Sequence, residues 1–105
     1  MNPVIVLTTV GAEFDARALA RDLVEQHLAA CVNIVNGVTS IYRWQGRVEE
    51  EREQLLVIKT VDANVHALRE MLLARHPYDV PEFLVLPIAS TSQAYGAWLL
   101  ESAAR

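Results

Sequence analysis

Leu55-Leu56-Val57-Ile58-Lys59-Thr60 places four consecutive apolar residues of strand-forming type directly ahead of the only lysine in the chain. A strand without a polar face is expected to be buried on both sides. A chain of 105 residues has too few helices to cover both faces of a sheet. A second copy of the chain is the simplest cover for the other face.

Working back from this stretch, Gln45-Gly46 marks the turn of a long hairpin. With those two residues as the loop, Trp44 faces Arg47, Tyr42 faces Glu49, and Val32 faces Lys59 if no bulge intervenes. Asn36-Gly37 is the strongest short hairpin signal in the chain, but the third strand has no second turn to match it. It is therefore read as a bulge or bend, which shifts the pairing beyond it by one residue. Fourteen residues from Cys31 to Trp44 extend roughly 45 Å at about 3.3 Å each. A compact chain of this length has a radius of gyration of only about 13 Å. The hairpin must project, and its open edges call for pairing with another subunit.

Ahead of the hairpin, Val4–Val10 reads as a buried strand stopped by Gly11, followed by a helix from about Glu13 to Ala30 with Leu19, Leu23, Val24 and Leu28 on one stripe. Asp15 is a candidate cap. Beyond the hairpin, a second helix is expected from a cap at Asp62 to about Arg75, with Val65, Leu68 and Leu72 inward and Met71 flanking. His76-Pro77 ends it. Tyr78-Asp79-Val80-Pro81 forms a rigid loop, Glu82 leads into a fully buried strand Phe83–Leu86, and Ser90-Thr91-Ser92 offers caps for a last helix through Tyr95, Trp98 and Leu99. The order β-α-β-β-α-β plus a C-terminal helix predicts an α+β, ferredoxin-like fold with both helices on one face of the sheet. Residues 1–105 are read as one such domain.

Net charge −4 and a pI near 5.2 argue against nucleic acid as a partner. No run of about 18 apolar residues is available to span a membrane. No signal peptide is read at Met1-Asn2-Pro3, and a lone cysteine suits a reducing compartment, so the cytoplasm is expected.

Leu28-Ala29-Ala30-Cys31-Val32-Asn33-Ile34, Ser40-Ile41-Tyr42-Arg43-Trp44-Gln45-Gly46, Glu49, Glu53, Lys59-Thr60, His76-Pro77-Tyr78 and Pro81-Glu82 together resemble the CutA family, the divalent-cation tolerance proteins. The resemblance implies a ferredoxin-like homotrimer with hairpins packed around a threefold axis, similar in architecture to the PII signalling proteins. It also implies a role in tolerance of copper and other divalent cations. Thr8 stands where some relatives carry a cysteine, and Arg75 where a second histidine can precede His-Pro-Tyr; both departures weigh against a metal centre.

No cofactor is required by this sequence, and copper or another divalent cation is the one candidate. Cys31 is a soft metal ligand, against the reading that it packs as a small apolar residue. His76 is a ligand or proton carrier, against the reading that it ends a helix. No HxH, CxxC or HExxH spacing is present. Glu49, Glu51 and Glu53 share one strand face and read as solvated protection of a projecting strand rather than a cation trap. Tyr42 and Trp44 form an aromatic pair suited to a ligand or an interface. Lys59 needs a carboxylate or an anionic ligand; Glu82 is a candidate partner, reached by strand stagger or, preferably, from a neighbouring subunit, since unstaggered parallel strands set the two far apart within one chain. Tyr42, Trp44, Lys59, His76, Tyr78 and Glu82 are thus expected to form a cleft between subunits. Three functions compete: a metal-tolerance protein, a PII-like small-ligand sensor, and an enzyme using the cleft for acid–base work.

Overall fold

The computed structural model describes residues 1–105. Its elements are β1 (Pro3–Gly11), α1 (Ala16–Glu25), β2 (Cys31–Trp44), β3 (Arg47–Val61), a 3-10 turn (Asp62–Asn64), α2 (Val65–Arg75), β4 (Leu84–Pro87) and α3 (Gln93–Ser102). The four strands form one antiparallel sheet in the order β2-β3-β1-β4. This is the α+β, ferredoxin-like arrangement expected from the element order.

One face of the sheet carries the core. Val6 and Val10 of β1 and Leu56 and Ile58 of β3 pack with Leu19 and Leu23 of α1 and Leu68 and Leu72 of α2 in a single cluster. Each of these side chains contributes about 1.5–3 kcal/mol by leaving water. The apolar run 55–58 nevertheless alternates: Leu56 and Ile58 are fully buried, and Leu55 and Val57 are half-buried on the far face. β4 departs further from the expected full burial. It is an edge strand paired only with β1, and Leu84, Val85 and Leu86 are 52%, 43% and 42% exposed.

The hairpin behaves as its turn residues dictate. Gln45 and Gly46 both adopt positive φ, 51° and 78°, which matches the right-handed twist of the flanking strands. Trp44 pairs with Arg47 and Tyr42 with Glu49. Between Val35 and Val38 the register shifts at a bulge holding Gly37 at φ 74°, and Cys31, not Val32, faces Lys59. Directly paired residues share a face. Even-numbered β2 residues therefore change sides at the bulge: Val32 and Ile34 pack against the core, whereas Tyr42 and Trp44 stand on the opposite face with Glu49, Glu51 and Glu53. The molecule measures 44 × 25 × 23 Å, longest along one axis.

Two helix ends differ from expectation. α1 stops at Glu25, five residues short, because the chain turns left-handed at His27, φ 59°. The Leu28 N–H donates to the Leu23 carbonyl and His27 N–H to Val24, a Schellman stop built without glycine. Val24 is exposed, and Leu28 is buried from the loop rather than from the helix. Asp62 caps nothing; its carboxylate accepts from the backbone and side-chain nitrogens of Asn2 at 3.0 and 3.3 Å. Asp15 and Ser92 do cap, accepting from Ala18 N and Tyr95 N. Buried Asn64 ties three segments together, its amide donating to the carbonyls of Ala103 (2.8 Å) and His27 (3.1 Å) and to the Thr60 hydroxyl (3.2 Å).

Candidate functional site

β4 pairs with β1 only as far as Leu7, so the edge of β1 from Thr8 onward lacks a strand partner on that side. The segment leaving α2 occupies it. The His76 ring, stacked against Phe14 with centroids 6.4 Å apart, donates from Nε2 to the Thr9 carbonyl at 2.8 Å. Its Nδ1 accepts from the Tyr78 N–H at 3.2 Å. Both ring nitrogens are engaged, and the bonds specify a neutral ring with its proton on Nε2. His76 is a positioning residue here.

Held in this way, the loop passes around the sheet edge to the face opposite the helices. Tyr78 reaches β3, and its hydroxyl donates to Glu53 Oε2 at 2.6 Å. Glu53 is only 5% exposed, so the carboxylate read as solvated is buried under the loop. The bond fastens the loop to the base of the hairpin. Between them lies an open cavity of about 850 Å³, bordered by Tyr42, Trp44, Glu53, Tyr78 and Glu82, with Thr9, Arg43 and Asp79 also on its wall. Alternation turns the Arg43 side chain toward the other face of the hairpin from Tyr42 and Trp44.

The electrostatics of this cleft are one-sided. Burial first, then the Glu53 hydrogen bond and charge, push the Tyr78 hydroxyl far above the ordinary phenol range. Partial desolvation, followed by the charges of Glu51, Glu53 and Glu49, raises Tyr42. Glu82 is raised by desolvation and then by Glu53. Every one of these shifts is what negative potential and lost water produce together.

Four of the six expected cleft residues, Tyr42, Trp44, Tyr78 and Glu82, therefore border one cavity, with His76 positioning the loop from behind. Within one chain, the hairpin they meet is the chain's own. Within one chain, Lys59 lies elsewhere and does not meet Glu82. It pairs across the sheet with Ile5, which pairs with Leu86, placing it four residues, about 13 Å, from the level of Glu82. Its ammonium sits 5.9 Å from the Tyr95 ring centroid, a cation–π contact in place of the expected carboxylate. Cys31 shares that end of the sheet, facing Lys59, its thiol 3.8 Å from Asn33 Oδ1. His76 is anchored at Thr9, opposite Leu55. Cys31 and His76 are thus separated by about 13 Å along the strands and roughly 10 Å across them, and one chain does not bring them to a common metal ion. No group of three His, Cys, Asp or Glu side chains converges in metal-ligand geometry.

Glu53 and Thr9 are the site residues that sequence reasoning missed. The signal available for Glu53 was its position: it is the last glutamate of the hairpin, on the face of Tyr42 and two residues before the apolar run.

A family model described as CutA1 divalent ion tolerance protein matches residues 4–102. The chain belongs to the CutA family. It is 53% identical over 98 residues to the divalent-cation tolerance protein CutA of Thermus thermophilus, covering 93% of this chain and 95% of that protein. A solved structure of the divalent cation tolerance protein from the same organism superposes with a TM-score of 0.90 at 52% identity, over 95% and 97% of the two chains. A chloroplastic CutA of Arabidopsis thaliana is 43% identical over 99 residues, which cover 94% of this chain and 54% of the plant protein. The family is one of divalent-cation tolerance. No helix of this CutA chain is long and apolar enough to cross a membrane.

Proposed function

We propose that this CutA protein works as a cytoplasmic homotrimer that serves divalent-cation tolerance by binding a small ligand in the Tyr42–Trp44–Tyr78–Glu82 cleft. Contact with copper or a related ion is weak and exchangeable, and Cys31 is the only one of the two metal candidates with a free donor atom. The Tyr78–Glu53 bond carries the reading, because it spends a buried carboxylate on holding a loop over an otherwise open cavity. The half-exposed apolar residues of β4, with Tyr95 and Trp98 of α3, support further cover by neighbouring subunits, and the family resemblance supports the number three.

Two measurements test this. Light scattering at micromolar concentration should give three chains; a well-folded monomer refutes the assembly. Copper calorimetry should show weak binding that Cys31→Ala removes and His76→Ala does not. Tight binding retained in both variants would place a real metal centre elsewhere. The PII-like sensor reading is favoured over an enzyme by the cavity itself, whose walls are aromatic and carboxylate and whose Tyr78 hydroxyl is committed to holding the loop on Glu53.

A further inference from the structure

We propose that the ligand of the cleft is a small organic cation, an aliphatic ammonium ion with an apolar body. The inference rests on the reading of this cavity as a ligand site and names the class of ligand it accepts.

Three features point the same way. The first is size. About 850 Å³ falls within the range for organic ligands and far exceeds what one metal ion fills, and the absence of three converging metal-ligand side chains leaves a bare divalent ion without a shell. The second is the lining. Tyr42, Trp44 and Tyr78 border the space, Tyr42 and Trp44 on one strand face, and aromatic rings attract ammonium groups through their faces while covering alkyl chains. The third is charge. Glu53, Asp79 and Glu82 lie on the wall, and the one basic residue there, Arg43, alternates to the other face of the hairpin. Glu82 makes no ion pair within the chain, and burial together with Glu53 raises its carboxyl above the usual range. Partly buried and without a cationic partner in the chain, that carboxylate is open to an arriving cation.

An anion is disfavoured by the same charges. A nucleotide has no glycine-rich loop or helix N-terminus on this wall to hold its phosphates.

The test uses the assembled protein carrying Trp98→Phe, which leaves Trp44 as the sole tryptophan. Its fluorescence is followed against 1,4-diaminobutane, 1,4-butanediol and adipate at constant ionic strength. The diamine should shift the Trp44 emission saturably, and the diol and diacid should not. Glu82→Gln in the same background should weaken diamine binding about tenfold, the loss of one hydrogen bond to a charged group. Equal or stronger binding of the diol or diacid overturns the cation and leaves the cleft standing as a ligand site. Diamine binding unchanged by Glu82→Gln also overturns the proposal, since the charge would then be acting from elsewhere. No response to any probe up to tens of millimolar overturns the cation and the ligand cleft together.

Discussion

Removing the Tyr78 hydroxyl separates the loop clasp from everything else in the fold. Tyr78→Phe keeps the ring, which lies 4.7 Å from His76 between centroids, and keeps the His76–Thr9 anchor. It deletes only the donor to Glu53, leaving that carboxylate 5% exposed without the 2.6 Å bond. A hydrogen bond to a charged acceptor is worth about 1.5–3 kcal/mol. Tyr78 itself is 39% exposed, and water competes for the freed space, so the lower end applies: a loss of about 1.5 kcal/mol at neutral pH. Urea denaturation at fixed protein concentration measures it, because subunit association shifts apparent stability. The pH profile discriminates the cause. The folded hydroxyl titrates above its unfolded value of about 10, so the folded state holds the proton longer. Its contribution is complete below pH 10 and is lost as pH rises through the folded value. Wild type should therefore decline more steeply than Tyr78→Phe above pH 10, with the other tyrosines cancelling in the difference. Parallel alkaline profiles, or a loss under about 0.5 kcal/mol, would refute the clasp.

Glu82→Gln should stabilise the protein by about 0.5 kcal/mol or less at neutral pH, discounted for solvent screening. The raised folded carboxyl means that charging Glu82 opposes folding, so the gain should vanish as pH falls below the unfolded carboxyl range, read by thermal melts across pH. Asn64→Ala should cost about 2 kcal/mol in chemical denaturation, since the buried Ala103 carbonyl and the part-buried His27 carbonyl lose their donor together. Arg75→Gln, which breaks the half-exposed 2.6 Å pair with Asp22, should cost about 0.5 kcal/mol at low salt and nothing measurable in high salt.

Where the fold was legible in the sequence, the cause was local. Gln45-Gly46 dictated the turn, Asn36-Gly37 without a matching turn dictated the bulge, and the order of strands and helices dictated the sheet. Where it was not, the deciding partner lay far along the chain. The α1 stop relies on His27 taking a conformation usually left to glycine or asparagine, with its ring nitrogen 3.1 Å from the Ser102 carbonyl. Asp62 looked like a cap and was taken by Asn2, sixty residues away. The cleft was half legible. Tyr42, Trp44, Tyr78 and Glu82 were legible as one group, whereas the Tyr95 ring as a partner for the Lys59 ammonium was not. The role of Glu53 depended on a tyrosine arriving from across the sheet edge, and no spacing within the hairpin records that.

The bulge at Asn36-Gly37 gives the hairpin something like a reading frame. One extra residue lets the same parity of side chains serve the core at the base and the cleft farther out. Deleting a single residue between Val35 and Val38 would turn Tyr42 and Trp44 toward the helix side and bring Ile41 and Arg43 to the strand face of Glu49, Glu51 and Glu53. Gaining one residue on each arm beyond Trp44 and Arg47 would leave the frame intact. The outer hairpin can therefore be lengthened in paired steps without moving the cleft, and any unpaired step on the Val38–Trp44 arm exchanges an aromatic wall for an aliphatic and basic one.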